Sequence, residues 1–205
     1  MVIKHLVMSG GGPAGLITYG AVRDLAKQNF WDLKDIITIY GTSIGSFMGV
    51  VISLGYDWDW LDDYFIKRPW DKLVSLTTLS IIDAYNNKGV LTSDFIKETL
   101  SPLFTAKNLS IDITMKKLFD FNNIDIHLFT TEINGYRMKK VSISHKSHPD
   151  LSVINALAMS MAYPFVFIPV CHNEKCYIDG GLLNNYPLYD CIHDNNCEHD
   201  EILAF

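Results

Sequence analysis

Gly41-Thr42-Ser43-Ile44-Gly45 sets a serine between two glycines, after the apolar run Ile36–Tyr40 and before a stretch of helical potential ending at Leu54. In a strand–turn–helix context this spacing supports an activated serine, because the turn is too tight for flanking Cβ atoms and the hydroxyl projects into a crevice. Ser43 is therefore the candidate nucleophile for acyl transfer. Such a serine needs a base to take its proton and donors to hold the oxyanion that its attack creates.

Gly10, Gly12 and Gly15 form a second spacing, Gly-x-Gly-x-x-Gly, between the strand-like Val2–Met8 and a helical segment running to about Gln28. Two chemistries compete for it. As a dinucleotide fingerprint it requires an acidic residue at the end of the next strand, to bind ribose hydroxyls. That strand ends Ile39-Tyr40-Gly41 and turns into the serine motif, while Asp32 and Asp35 precede it, at the wrong end. The flavin or nicotinamide reading is weakened accordingly. The alternative is an anion site, since successive glycine N–H groups at a helix start carry partial positive charge. Parallel strands would put this loop on the same sheet edge as Ser43, with Gly11 and Gly12 donating to an oxyanion.

The base is not an evident histidine. His145 and His148 sit in a polar loop, His5 and His127 within strands, and the rest among the C-terminal cysteines. Asp179 ends the strand-like Lys175–Ile178 and precedes Gly180 and Gly181, which allow close approach of backbone or substrate. A carboxylate of ordinary pKa is a poor base, so burial beside Ser43 would have to raise it.

Taken together, the order GGGPAG, GTSIG and DGG resembles the patatin-like phospholipases. YGAVRDL after the glycine loop and Ala156–Val170, with its Ala-x-Ser-x-Ala-x-Pro run, are similar to further segments of that family. The resemblance implies a Ser43–Asp179 dyad, an oxyanion hole at Gly10, Gly11 and Gly12, and motif glycines Gly15, Gly41, Gly45, Gly180 and Gly181. It also implies a three-layer α/β/α fold with a mostly parallel central sheet. The implied chemistry is hydrolysis of lipid or phospholipid acyl esters through an acyl-enzyme, without metal or cofactor. Ala14 stands where the family usually carries Arg or Lys. That departure keeps a second reading open, a catalytically silent lipid-binding module.

The positioning elements follow from periodicity. Ile17, Ala21 and Leu25 recur at helical spacing and are expected to form one buried stripe. The Ser43 helix is apolar nearly all round and is expected at the centre of the molecule, with Gly55 at its C-terminal cap. Tyr56–Trp70 reads as an aromatic helix on the core, with a lid or lipid-contacting surface as the functional alternative. Leu76–Gly89 reads as a loop, followed by a helix from Thr92 or Ser93 to Leu100 and another over Thr114–Phe119. Ile124–Ile133 and Tyr136–Ser144 are strands meeting at Asn134-Gly135, a strong hairpin signal. A helix over Val153–Met161 and an extended Pro164–Pro169 complete the series. The final EILAF reads as the start of another strand.

The chain has 205 residues, a formal charge of −6 and 20% charged residues, without a polybasic run. Nucleic acid is thereby disfavoured as a partner, and so is purely electrostatic docking on anionic membranes. The expectation is one domain over residues 1–205, truncated against the family's usual length. It is expected to be cytoplasmic, without signal peptide or spanning segment, touching membranes only transiently. Cys171, Cys176, Cys191 and Cys197 lack the tight spacing of a zinc knuckle. Cys171 and Cys176 are expected on neighbouring strands, as free thiols in a reducing compartment.

Overall fold

A computed structural model describes residues 2–70 and 88–205. β1 (His5–Met8), α1 (Gly15–Lys27), β2 (Thr38–Thr42) and α2 (Ile44–Ser53) form the opening unit, with β1 and β2 parallel. After α3 (Trp58–Lys67), α4 (Ser93–Ala106) and α5 (Met115–Asn122) comes β3 (Asp125–Glu132), parallel to β2. β4 (Lys139–Ile143), α6 (Val153–Ser160), β5 (Val170–His172), β6 (Lys175–Asp179), α7 (Gly181–Asn184), α8 (Leu188–Asn195) and β7 (Ile202–Ala204) follow. The mixed sheet runs β5-β6-β3-β2-β1-β7, with β4 also paired to β3.

Alternation divides the strands between two faces. Leu6, Met8, Ile39, Ile126 and Leu128 face the main core, with the buried sides of α1 to α6. Val7, Tyr40 and Phe129 face the other way, against Cys191 of α8. Helices thus cover both faces of the sheet, as the α/β/α expectation required.

β3 is the strand that organises the site. Residues Asp125–Phe129 pair with β2 in parallel, and Thr130–Glu132 pair with β6 antiparallel. β4 overlaps both partners in register, from Leu128 to Glu132, so it must occupy the opposite edge. β2 and β6 therefore lie end to end along one edge of β3, pointing at each other. Thr42 is opposite Phe129, and Asp179 is opposite the next residue, Thr130.

Several local expectations are corrected. The buried stripe of α1 is Gly15, Tyr19 and Val22, while Ile17 is exposed. Asn134 and Gly135 do not form a two-residue turn: β3 and β4 pair at Glu132 and Lys139, leaving six residues between them. Neither residue has the positive φ such a turn needs, and the Asn134 side chain instead bonds Cys176 N and Glu174 O. Pro164–Val166 is a turn rather than extended, with Phe165 at φ 67°. Cys171 and Cys176 do face each other across β5 and β6, but as a disulfide rather than free thiols. The loop expected over Leu76–Gly89 lies outside the described residues, apart from Lys88 and Gly89.

The fourth helix does not stop before its proline but runs through Pro102 to Ala106. Proline has no N–H to offer the carbonyl four residues earlier. Arg68 supplies the missing donor, its guanidinium bonding Glu98 O at 2.7 Å while lying over the rings of Tyr64 and Trp70. Arg68→Ala is expected to destabilise by about 1 kcal/mol, lowering the melting temperature by roughly 2–4 °C in a thermal scan. The aromatic stretch packs as a helix on the core, with Leu61 and Phe65 buried and Tyr56, Trp60 and Tyr64 stacked.

Candidate active site

Ser43 follows β2 directly and caps α2 with φ 54° and ψ −123°. L-residues rarely adopt this conformation, which costs about 1–3 kcal/mol unless surrounding contacts impose it. Here they do. A Cβ on Gly45 would lie 2.3 Å from Met8 O, so the helix starts against the end of β1 at a distance only glycine permits. Ser43 N donates to Ser160 Oγ at 3.0 Å, and that hydroxyl in turn bonds Phe129 O at 2.6 Å. Ser160 has one proton, which goes to the carbonyl, so Ser46 Oγ at 2.7 Å must donate to it.

Ser160 is the residue whose role the sequence did not disclose, although it lies in the Ala-x-Ser-x-Ala-x-Pro run. It is fully buried and ties the serine turn to β3 through α6. Ser160→Ala orphans Ser43 N and frees the turn. The expected result is a 10–100-fold lower kcat with little change in KM for a soluble ester, and a stability loss of about 1–3 kcal/mol. Ser160→Thr, which keeps the hydroxyl, should recover part of kcat.

Asp179 ends β6 and is 3% exposed. Its backbone N–H donates to Ala162 O, and Gly180 packs so tightly on β3 that a Cβ would lie 2.2 Å from Phe129 O. Its Oδ1 accepts Gly181 N at 2.7 Å, whereas Oδ2 is buried without a hydrogen-bond partner among the described residues. Burial pushes the carboxyl pKa up, and the neighbouring Ser43 hydroxyl and Gly181 N–H only partly offset this. Ser43 thus stands beside the carboxylate without a well-formed hydrogen bond to Oδ2. Asp125, the comparison case, is also buried, but His127, Lys146 and His145 outweigh burial and hold it well below the usual range. One buried aspartate is a satisfied structural anion; among the described residues Asp179 has no cation beside it and keeps a free oxygen.

The glycine loop reaches the same place. A Cβ on Gly10 would lie 3.2 Å from Ser43 Cβ, and Gly15 packs on Ile44. Gly10 N–H, counted with the oxyanion donors from sequence, donates instead to Asn185 O at 3.0 Å. Gly11 and Gly12 remain as the exposed N–H groups of the loop, which enters α1 through a 3-10 turn over Gly12–Ala14. Asn185, for which the sequence offers no signal, clamps the loop from the far side, its side-chain amide donating to Gly10 O at 3.2 Å. Gly41 and Gly45 face each other across the serine turn, while Gly180 and Gly181 carry the chain away from Asp179.

Among the described residues no histidine bonds Ser43 or Asp179, and no group of three or more His, Cys, Asp or Glu is placed to hold a metal ion. A cavity of about 490 Å³ lies at the opposite end of the sheet beside Trp31, Trp58 and Leu61, away from these groups. No described helix is long and apolar enough to cross a membrane.

Comparison with known proteins gives matches in family, sequence and fold. The family model for patatin-like phospholipase matches residues 6–192. An invertebrate iridescent virus 6 protein named "Probable lipid hydrolase 463L" is 30% identical over 94% of this chain and 64% of its own length. An uncharacterized protein of Acanthamoeba polyphaga mimivirus is 29% identical over 91% of this chain and 60% of its own. The chain thus spans a little under two thirds of these relatives. VipD from Legionella pneumophila superposes with a TM-score of 0.66 at 16% identity, covering 99% of this chain and 49% of that one. The type III effector ExoU gives a TM-score of 0.53 at 18% identity, over 82% of this chain and 40% of that one. At such identities the likeness is one of fold.

Proposed function

Because the chain belongs to the patatin-like phospholipase family, we propose that it hydrolyses acyl esters of lipids with Ser43 as nucleophile and Asp179 as base. The observation that carries this reading is the unpartnered, buried Oδ2 of Asp179 beside a serine held at φ 54°. Ser43 Oγ attacks the ester carbonyl as its proton passes to Asp179. The N–H groups of Gly11 and Gly12 hold the oxyanion, an arrangement in which one donor is worth about two to three orders of magnitude in rate. Collapse returns the proton from Asp179 to the leaving alcohol. Asp179 then deprotonates a water that attacks the acyl-enzyme, and the fatty acid leaves with Ser43 restored.

A fluorophosphonate probe with peptide mapping tests this. The wild type is expected to label at Ser43, and Ser43→Ala not at all. Equal labelling of the two proteins would refute the assignment. Ala14 favours a second reading, a silent lipid-binding module, which predicts vesicle binding with neither labelling nor turnover.

A further inference from the structure

We propose that the face around Ser43 is a docking surface for electrically neutral lipid bilayers, held by inserted apolar side chains rather than by charge. The inference rests on the lipid-ester reading and extends it to how the site meets an aggregated substrate. Three segments reach the site: the first turn of α1, the turn after α6, and α7. Each presents large apolar side chains to solvent, namely Leu16 and Ile17, Phe165 and Val166, Leu182 and Leu183. Their convergence follows from contacts already described. Gly15 lies on Ile44, Ala162 O accepts Asp179 N, and α7 begins two residues beyond Asp179.

Ile17 and Phe165 are both 76% exposed. Phe165 also holds a φ of 67°, a conformation costly for a bulky residue, and it turns the ring outward instead of into the core. Large apolar side chains exposed together around one site mark a contact surface.

Charge identifies the occupant. Although 20% of the chain is charged, residues 5–22, 36–56, 151–173 and 180–189 contain no Asp, Glu, Lys or Arg. These stretches build the site and carry the six apolar side chains; Asp179 is buried, and exposed Lys88 stands at the rim, two residues before Val90, whose N–H donates to Val166 O. The stretches that form the face bring no lysine or arginine of their own, and on a chain of formal charge −6 a single edge lysine such as Lys88 gives little attraction for anionic head groups. Because these stretches carry no exposed carboxylate, their apolar side chains can enter the boundary of a zwitterionic membrane, where their burial drives binding.

Flotation of Ser43→Ala protein with vesicles tests this without substrate turnover. Binding to pure phosphatidylcholine vesicles is expected, unchanged between low and high salt and no stronger on phosphatidylserine. The double variant Ile17→Ser/Phe165→Ser should bind about 10–100-fold more weakly, from the lost burial of two large side chains. Ile66→Ser, at an equally exposed position on α3, should bind as the parent does, and circular dichroism checks that each variant is folded. Absence of phosphatidylcholine binding, salt-sensitive binding that requires phosphatidylserine, or parental binding by the folded double variant would each overturn the proposal. A dimer that loses vesicle affinity as it forms would assign the face to a second copy and overturn it too. Catalysis is read separately: vesicle binding without probe labelling of the wild type removes the dyad and leaves the docking surface standing. Labelling without vesicle binding does the reverse.

Discussion

Asp179→Asn is expected to lower kcat for a lipid ester by about three to four orders of magnitude and, at neutral pH, to raise the melting temperature. The rate loss follows from the base: asparagine cannot accept the Ser43 proton, and oxyanion stabilisation and substrate binding account for what activity remains. The stability gain follows from the same burial that suits the aspartate to the proposed role of base. Burial pushes its folded pKa above that of an ordinary aspartate. The folded chain therefore holds this proton more tightly than the unfolded chain does. The group's contribution to stability is full below the unfolded pKa and is lost as pH rises through the folded pKa. Above that window an ionised carboxylate with an unpartnered Oδ2 opposes folding, and the amide removes that charge. A gain of about 1 kcal/mol corresponds to roughly 2–4 °C for a domain of this size. Thermal scans should show the variant ahead at pH 7 and level with the wild type below about pH 4. In the rate profile, wild-type kcat/KM should fall on the acid side with a midpoint above that of an ordinary aspartate. A variant no more stable at pH 7 than at pH 4, or a midpoint at the ordinary carboxylate value, would contradict this account of the site.

Ser43→Ala and Ser43→Gly are expected to be equally inactive but unequally stable. Either change removes the nucleophile, which costs on the order of four to six orders of magnitude where serine and base act as a unit. Alanine keeps a Cβ at φ 54° and ψ −123°, so the strain of the serine turn persists. Glycine relieves about 1–3 kcal/mol of it and loses about 0.4–1 kcal/mol through the greater freedom of the unfolded chain. The glycine variant should therefore melt higher than the alanine variant by a few degrees. Melting at the same temperature would mean that the turn is relaxed and that strain plays no part in presenting the hydroxyl. The pair also separates two effects that a single inactive variant merges, loss of chemistry and relief of backbone strain.

Much of the site is local and can be read along the chain. The serine turn, the glycine loop and Asp-Gly-Gly each depend on neighbours in sequence, because φ/ψ demands and the absence of a Cβ act over a few residues. Hydrophobic periodicity likewise locates β1, β2, α1, α2 and β3 to within a few positions. Local rules failed where a distant group intervened. A proline would end α4 if Arg68 did not take over the freed Glu98 carbonyl. Asn134-Gly135 would make a tight turn if the Asn134 side chain were not bonded to β6. Ile17 fits the helical stripe, but Gly15 against Ile44 rotates the helix so that Ile17 faces solvent.

What the sequence by itself determined is the set of chemical parts and their order: a serine on a tight turn, a loop of glycine donors, an aspartate at a strand end. Only the tertiary structure decided that they meet. β6 runs antiparallel on the edge of β3 that β2 occupies in parallel, so Thr42 and Asp179 reach adjacent positions from opposite directions. The same packing buries Asp179 Oδ2 without a hydrogen-bond partner among the described residues and spends Gly10 N–H on Asn185, so that Gly11 and Gly12 are the donors proposed for the oxyanion. Strand register and burial are set by contacts between residues far apart in the chain, and no spacing within a motif records them.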